Sequence, residues 1–392
     1  RFTTFPRNDP DNCLYADDVM DVAIHYKLVE PDIDPDTFSF SDVYAPLNFM
    51  AARINEARVW SIFSNLVDPD GTFQREYLHY ASGTHLKTRM PLWIKPYKNV
   101  TLQDVGQLMT SHYEGTELDP TKDPGAGLYG SPNRPRPLEW TYDKKTYHNE
   151  RTIGIPKTAW NFIAQVRPWM PPELAALNWF GVDDSSTSPR FPVYGSSRQL
   201  SEAYTGEGGP QDGVKSPILE FDLTKAFWVQ NMVSNWAYYR WSDVYPIVRS
   251  KIEIVQSDFM DDVQSTDKHA LELYQQQSVA AAVEFVTKFG VNAGDSLHTE
   301  WLRFYGQLFA RFRDFYEIVP NTERPDCECE AHENGMTKDW KRRIVQETGN
   351  HYHVADHHHK TDTTTNTNNK LRPTATTTTP FWETEIPRTV VS

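Results

Sequence analysis

Apolar residues recur at two different spacings along the chain, and these spacings divide it into regions. Helical spacing, three and four residues apart, runs through residues 15–28, 48–66 and 227–315. Short aromatic and β-branched runs bounded by proline and serine clusters predict strands at 152–155, 160–166, 176–182 and 190–194. The pattern therefore predicts an α+β fold, in which a sheet packs against helices.

The segment 89–137 lies between the first helical region and the strands. We expect an aromatic strand over 89–96, then a short amphipathic helix, then a polar loop rich in Gly, Pro, Asp and Arg. Long ordered loops of this composition serve function more often than packing. This segment is therefore expected to form part of a functional site.

The hydrophobic pattern also sets the expected domain limits. Gly290 and Gly294 are expected to interrupt the helical region, and the apolar pattern ends at Pro320. Beyond it the chain is charged, then rich in Thr and Asn, which is typical of an extended or partly disordered tail. We therefore expect one domain over 1–320, including helices over 227–317, and a tail over 321–392.

Composition narrows the classes of partner. The 392 residues carry 39 Lys and Arg against 53 Asp and Glu, a formal net charge of −14. An acidic surface repels nucleic acid, and no apolar run approaches the roughly 18 residues that span a bilayer. The sequence therefore predicts neither nucleic-acid binding nor a membrane span.

Cysteine and histidine raise the question of a metal site. The three cysteines, Cys13, Cys327 and Cys329, are too few for a disulfide scaffold and leave a free thiol or a bond to another chain. Five histidines between 351 and 359 could bind zinc, but Cys-x-Cys is too tight for a zinc site, and a solvated histidine run is the alternative. No nucleotide-binding or zinc-protease motif occurs, so neither metal nor cofactor is predicted.

Processing signals bear on location. Asn99-Val100-Thr101 is an acceptor for an N-linked glycan, and the Thr-rich run 373–380 resembles an O-glycosylated spacer. Both favour a secreted or lysosomal protein. The chain begins at Arg1 without a signal-peptide pattern, so we expect it to be a piece of a longer polypeptide.

Motifs along the first 315 residues resemble the PepD-like dipeptidases, a family of N-terminal-nucleophile hydrolases related to the secernins. The residues that carry the resemblance are Arg89-Met-Pro-Leu-Trp-Ile-Lys-Pro96, His112-Tyr-Glu-Gly-Thr116, Gly130-Ser-Pro132-Asn-Arg134, Trp179-Phe-Gly-Val-Asp-Asp184 and Asn231-Met-Val-Ser-Asn235.

The resemblance implies an α/β/β/α sandwich and a cysteine hydrolase that cleaves dipeptides or small amides. In such an enzyme the thiol of an N-terminal cysteine attacks the peptide carbonyl while its own α-amine acts as base. That cysteine is not among these residues. We expect a preceding segment of the same precursor to supply it, unless the sequence is an incomplete reading of a longer chain. The alternative function is a catalytically silent, secreted structural or binding component. Assembly of the protein into a homo-oligomer is a further open alternative.

The resemblance also implies site residues. An arginine orients the nucleophile in related amidases, and Arg58 in Glu56-Ala-Arg58-Val-Trp60 is the match, with Arg53 as the alternative. A dipeptidase also needs fixed groups for the substrate's charged terminus and backbone. These roles are expected of His112, Tyr113, Glu114, Asn161, Thr187 and Ser188, each with ordinary packing as the alternative.

Overall fold

The computed structural model describes residues 11, 14–67, 69–206, 217–326 and 328–354. It divides into two compact units, Arg1–Leu297 and His298–Ser392. Helices and small antiparallel sheets alternate along the described chain, which confirms the α+β class. No helix in these ranges is long and apolar enough to cross a membrane.

The first unit begins with a helical layer that confirms the helices predicted over 15–28 and 48–66. Its helices are α1 (Val19–His25), α2 (Phe40–Tyr44), α3 (Phe49–Ala51), a π-helical turn (Ala52–Glu56), α4 (Ala57–Val67) and α5 (Thr72–Ala81). Asn48 caps α3 by accepting from the amide of Ala51 at 2.8 Å. Trp60 is fully buried, and its indole nitrogen donates to the carbonyl of Gln74 at 2.9 Å, which joins α4 to α5.

The segment 89–137 contains the expected helix, α6 (Leu102–Leu108), which starts at a reciprocal capping box between Thr101 and Asp104. The strand predicted over 89–96 is wrong. Its prolines, Pro91 and Pro96, have no N–H to donate to a ladder, and the segment runs as irregular backbone.

The sheet of the first unit has three antiparallel strands in the order β3–β4–β5, with β3 Trp160–Val166, β4 Ala176–Val182 and β5 Phe191–Tyr194. These confirm three of the four predicted strands. The strand predicted over 152–155 is wrong, because the amides of Ile153 and Gly154 both donate to the carbonyl of Ser111 instead. A hairpin, β1 (Glu139–Tyr142) and β2 (Lys145–His148), precedes the sheet, and a short helix α7 (Pro172–Ala175) leads into β4.

Side chains of β3 alternate between the protein interior and solvent. Asn161 is buried, whereas Trp160, Phe162 and Val166 are 57%, 45% and 73% exposed. Among the described residues β3 pairs with β4 alone, so its other backbone edge is open. An apolar face on an open edge is a surface that most proteins cover.

Three long helices follow, α8 (Ala226–Tyr239), α9 (Trp241–Gln276) and α10 (Val279–Phe312), and confirm the helical region. The interruption predicted at Gly290 and Gly294 is wrong, because α10 is continuous there. These glycines let α10 approach the sheet: a Cβ at Gly294 would lie 2.7 Å from the Cβ of Ser201 and 3.2 Å from the ring of Phe191. Glycine serves close approach here, which a sequence pattern does not distinguish from a break.

The second unit contains the end of α10, a hairpin of β6 (Glu317–Pro320) and β7 (Cys329–His332), and the helix α11 (Lys338–Thr348). Regular structure therefore continues past the composition break at Pro320. Cys329 carries an exposed free thiol. Cys13, Cys327, the histidines at 357–359 and the Thr-rich run lie outside the described residues.

Candidate active site

The loop between β4 and β5 is polar and yet entirely buried. None of the six residues Asp183 to Ser188 is more than 4% exposed. The loop folds on itself, because the Oδ1 of Asp184 accepts from the amide of Ser186 at 3.1 Å and its carbonyl accepts from that of Thr187 at 3.2 Å. Burying polar groups is costly unless they are hydrogen-bonded, so a loop of this kind is typical of a functional site.

A chain of hydrogen bonds leads from this loop to the segment 89–137. The phenol of Tyr238 on α8 donates to Oδ2 of Asp184 at 2.7 Å, and Oγ of Ser186 donates to the same oxygen at 2.6 Å. Nε2 of His112 lies 3.0 Å from the Tyr238 oxygen, and Nδ1 of His112 lies 3.1 Å from Oε1 of Glu114. We call Glu114, His112, Tyr238 and Asp184 the buried chain, which reaches solvent at its Glu114 end.

Local backbone geometry positions His112. Tyr113 has a left-handed φ of 64° and Gly115 follows at 74°, which turns the backbone sharply after the histidine. The amide of His112 donates to the Glu114 carboxylate at 2.9 Å, so the turn and the carboxylate fix each other. Trp241, at the start of α9, packs edge-on against the imidazole with ring centres 4.8 Å apart. His112 itself is fully buried.

Gly154 completes this packing. A Cβ at this position would lie 2.9 Å from Nε2 of His112 and 2.9 Å from the Cβ of Ser186. Real Cβ contacts are essentially never so short, so the absence of a side chain lets the backbone touch the imidazole. The segment 152–155 is therefore irregular because it packs against the buried chain.

Burial and hydrogen bonding together set the pKa values of the acidic groups in this cluster. Burial, aided by the adjacent charge of Asp184, raises the pKa of Asp183 to about 7, and a hydrogen bond from Asn231 at 3.1 Å works against that rise. Burial also tends to raise the pKa of Glu114, but the hydrogen bonds from His112 outweigh it and hold the pKa below its usual value. Burial and the charge of Asp184 raise the pKa of Tyr238 well above its usual value, so it remains a phenol and a donor.

Three of the predicted substrate-binding residues lie at the sheet end of this cluster. Asn161 donates from Nδ2 to the carbonyl of Asp183 at 3.0 Å, and its Oδ1 is buried without a hydrogen-bond partner among the described residues. The hydroxyls of Thr187 and Ser188 are buried and equally unpartnered there. The structure thus brings these residues to the same buried cluster as His112 and Glu114.

Arg58 and Tyr113 lie together on the other side of the turn. The Tyr113 hydroxyl donates to the carbonyl of Arg151 at 2.9 Å, and Nε of Arg58 lies 3.3 Å from the same carbonyl and 3.1 Å from that of Thr152. Arg53, the alternative, donates to the carbonyl of Ser82 and is ion-paired with Glu150. Arg53 therefore has a carboxylate partner, whereas Arg58 binds backbone.

Two members of the buried chain, Glu114 and Tyr238, each line a pocket. Glu114 lines a cavity of about 260 Å³ whose other walls are mostly polar and include Ser61, Asn65, Gln74 and Thr116. Tyr238 lines a smaller recess together with Arg136, Arg151 and Thr152. Elsewhere on the chain, Asn99 is exposed just before α6. No group of three His, Cys, Asp or Glu side chains within the described ranges could hold a metal ion.

The sequence did not reveal Tyr238, and Asp184 was recognised only as the end of the motif Trp179-Phe-Gly-Val-Asp-Asp184, without a site role. Tyr238 lies 126 positions from His112, in a helix with many aromatic residues, so no local pattern marks it. A signal for the loop did exist, because six consecutive polar residues between two strands that are both partly buried are unusual. Adjacent acids are expected to point apart. Here both are buried, with Asp183 facing Asn231 and Asp184 facing Tyr238.

Titratable groups that are joined by hydrogen bonds and lie beside a polar cavity are typical of an enzyme active site. The family model of peptidase family C69 matches residues 1–253, and the chain belongs to this family.

Known relatives extend this comparison. Dipeptidase A of Lactobacillus helveticus is 24% identical over 231 residues, which cover 59% of this chain and 40% of that protein. A probable dipeptidase A of Streptococcus pyogenes is 28% identical over 196 residues, or 48% of this chain and 35% of that protein. A dipeptidase of Bifidobacterium longum is 28% identical over 100 residues, covering 26% and 16%. The matched parts of the chain span two fifths or less of each of these relatives.

Replacing Gly154 with alanine tests the packing against His112. We expect Gly154→Ala to lower the free energy of unfolding by about 1–3 kcal/mol, because the new methyl group overlaps the imidazole and Ser186. Gly106→Ala in α6 is the matched control, since its Cβ would meet only ordinary contacts at 3.9 Å and 4.0 Å. The free energy of unfolding of both variants is measured by urea denaturation. Equal stability of Gly154→Ala and the unsubstituted protein would contradict the packing.

The raised pKa of Asp183 predicts a pH-dependent stability. A carboxyl that titrates near 7 when folded and near 3.8 otherwise binds its proton more tightly in the folded state. Its stabilising contribution is therefore complete below about pH 4 and lost as the pH rises through 7. We expect the free energy of unfolding to fall between pH 5 and pH 8, and to fall less in Asp183→Asn. The exposed Asp32→Asn is the control, and equal slopes for both variants would refute the assignment.

Proposed function

We propose that this chain is part of a cysteine-type N-terminal-nucleophile dipeptidase, which cleaves dipeptides or small amides. The observation that carries the proposal is membership of peptidase family C69, together with the dipeptidase names of its relatives. The buried chain and the cavity of about 260 Å³ beside Glu114 support a site for a small polar substrate.

The proposal places the nucleophile in a segment that precedes residue 1 in the precursor. The exposed face of β3, with Trp160, Phe162 and Val166, and the open edge of the same strand support it, because both suit a further strand or sheet. A second sheet packed there would complete the α/β/β/α sandwich. The matched relatives are also much longer than the part they share with this chain.

In the proposed reaction the cysteine sulfur attacks the peptide carbonyl carbon, and the cysteine's own α-amine takes the thiol proton. An α-amine titrates near 7.7–8.0, so it can accept this proton at neutral pH. The proton then passes to the leaving amine as the C–N bond breaks, which leaves a thioester. Water hydrolyses the thioester, releasing the carboxylic acid and regenerating the thiol.

Residues of this chain are proposed to hold the substrate. The Glu114 side chain is 55% exposed and lines the cavity of about 260 Å³, where its carboxylate can pair with the substrate's free ammonium group. His112 fixes this carboxylate, and Tyr113 supports the same turn from its other side. Asn161, Thr187 and Ser188 offer the unpartnered polar atoms that substrate backbone or the nucleophile segment would satisfy.

Arg58 is proposed to orient the nucleophile segment. Its Nη2 is buried without a hydrogen-bond partner among the described residues, while Nε is held by two carbonyls. A guanidinium fixed on one side presents its remaining N–H groups in a defined direction. A secreted or lysosomal location is part of the same proposal, supported by the exposure of Asn99 in its glycosylation motif.

Expression of the complete precursor tests the function. Mass spectrometry and N-terminal sequencing of the mature protein should find an N-terminal cysteine, and a dipeptide panel should be hydrolysed. Arg58→Ala should lower kcat/KM at least about tenfold without unfolding the protein, as expected for one lost charged hydrogen bond. The exposed Arg75→Ala is the control. Any other residue at the processed N-terminus, with no hydrolysis, would overturn the enzyme and favour a catalytically silent family member.

A further inference from the structure

Three arginines lie in or beside a recess that residues 151 and 152 line. Arg58 is bound to the carbonyls of Arg151 and Thr152 through Nε. The side chains of Arg136 and Arg151 line the recess that also contains Thr152 and Tyr238. Burial and the charges of Arg151 and Arg136 lower the pKa of Arg58 below its usual value, although the Tyr113 hydroxyl works against this. We call this surface the arginine recess.

Among the described residues, the one carboxylate that lines the arginine recess, Glu150, is paired with an arginine outside it. Within the described residues, Arg58, Arg136 and Arg151 form no ion pair. The partner of Glu150 is Arg53. Arg134, a further neighbour, is paired with Asp123 at 2.8 Å. The uncompensated charge is therefore confined to these three side chains.

Hydrogen bonding at the arginine recess is incomplete as well. Nη2 of Arg58 and Nε of Arg151 are buried and have no hydrogen-bond partner among the described residues. A buried N–H of a charged group without a partner is costly, and like charges held together add to that cost. No group among the described residues offsets this cost, and an anion bound at the recess would offset it.

The shape of a guanidinium group selects the kind of anion. Its planar N–H pairs match the two oxygens of a carboxylate in a bidentate arrangement. We propose that the arginine recess binds the free C-terminal carboxylate of the peptide substrate through Arg136 and Arg151, while Arg58, which does not line the recess, contributes only its charge. This inference rests on the proposed function, because it assigns a carboxylate-bearing peptide to the same site. It makes the enzyme selective for substrates whose last residue is unblocked.

A pair of matched substrates tests the recess in the mature full-length enzyme. Alanyl-alanine carries the carboxylate, whereas alanyl-alanine amide has a neutral group of the same size. We expect KM for the amide to exceed KM for the acid about 10- to 100-fold, the effect of losing charged hydrogen bonds. Arg151→Gln and Arg136→Gln should raise KM for the acid by a similar factor and leave KM for the amide unchanged, with Arg75→Gln as the control. Arg151→Lys should restore part of the acid preference.

Two results would overturn the proposal. One is equal KM values for acid and amide in the unsubstituted enzyme. The other is an equal rise for both substrates in the glutamine variants, which would mean that the arginines serve the fold or bind a carboxylate from another part of the protein.

If neither compound is hydrolysed, binding of the acid and of the amide is measured by calorimetry, which tests the carboxylate site independently of the proposed dipeptidase function. The acid should then still bind, the amide should bind at least about tenfold more weakly, and Arg151→Gln should abolish the difference. That result would overturn the dipeptidase function and keep the recess. Equal binding of the two compounds, or no binding of either, would reject the carboxylate site.

Discussion

The hydroxyl group of Tyr238 joins parts of the first unit that are far apart in sequence. It donates to Asp184 at 2.7 Å, and His112 lies 3.0 Å from the same oxygen. Through these two contacts α8 holds the buried polar loop after β4 and the turn that carries Glu114. A buried carboxylate needs such donors, because without them its desolvation would oppose folding. This one side chain therefore links the buried polar loop to the turn that carries Glu114.

Charge is distributed unevenly around the buried chain. Glu114 lines one pocket with a carboxylate, whereas Arg136 and Arg151 line the other with uncompensated positive charge. A carboxylate suits an ammonium group at the first pocket, and arginines suit a carboxylate at the second. This division of charge agrees with the peptidase family to which the chain belongs.

Sequence reasoning predicted the elements whose hydrophobic pattern is regular and missed contacts made at long range. β3, β4 and the helices α8 to α10 follow from alternation and helical periodicity. The segment 152–155 looks like a strand but packs on His112 through Gly154, a tertiary contact that overrides β-propensity. Charge and the family resemblance pointed to His112 and Glu114 as site residues. Their link to Asp184 runs through Tyr238, which lies 126 positions after His112 in the sequence. No local pattern indicates such a contact.

A double-mutant cycle between Tyr238→Phe and Asp184→Asn tests the central claim most directly, with free energies of unfolding measured by urea denaturation for the two single variants and the double variant. If the phenol and the carboxylate depend on each other, the effects of the two substitutions are not additive, and the coupling energy is about 1–3 kcal/mol. Additivity to within about 0.5 kcal/mol would contradict the account, because Tyr238 and Asp184 would then stabilise the protein independently.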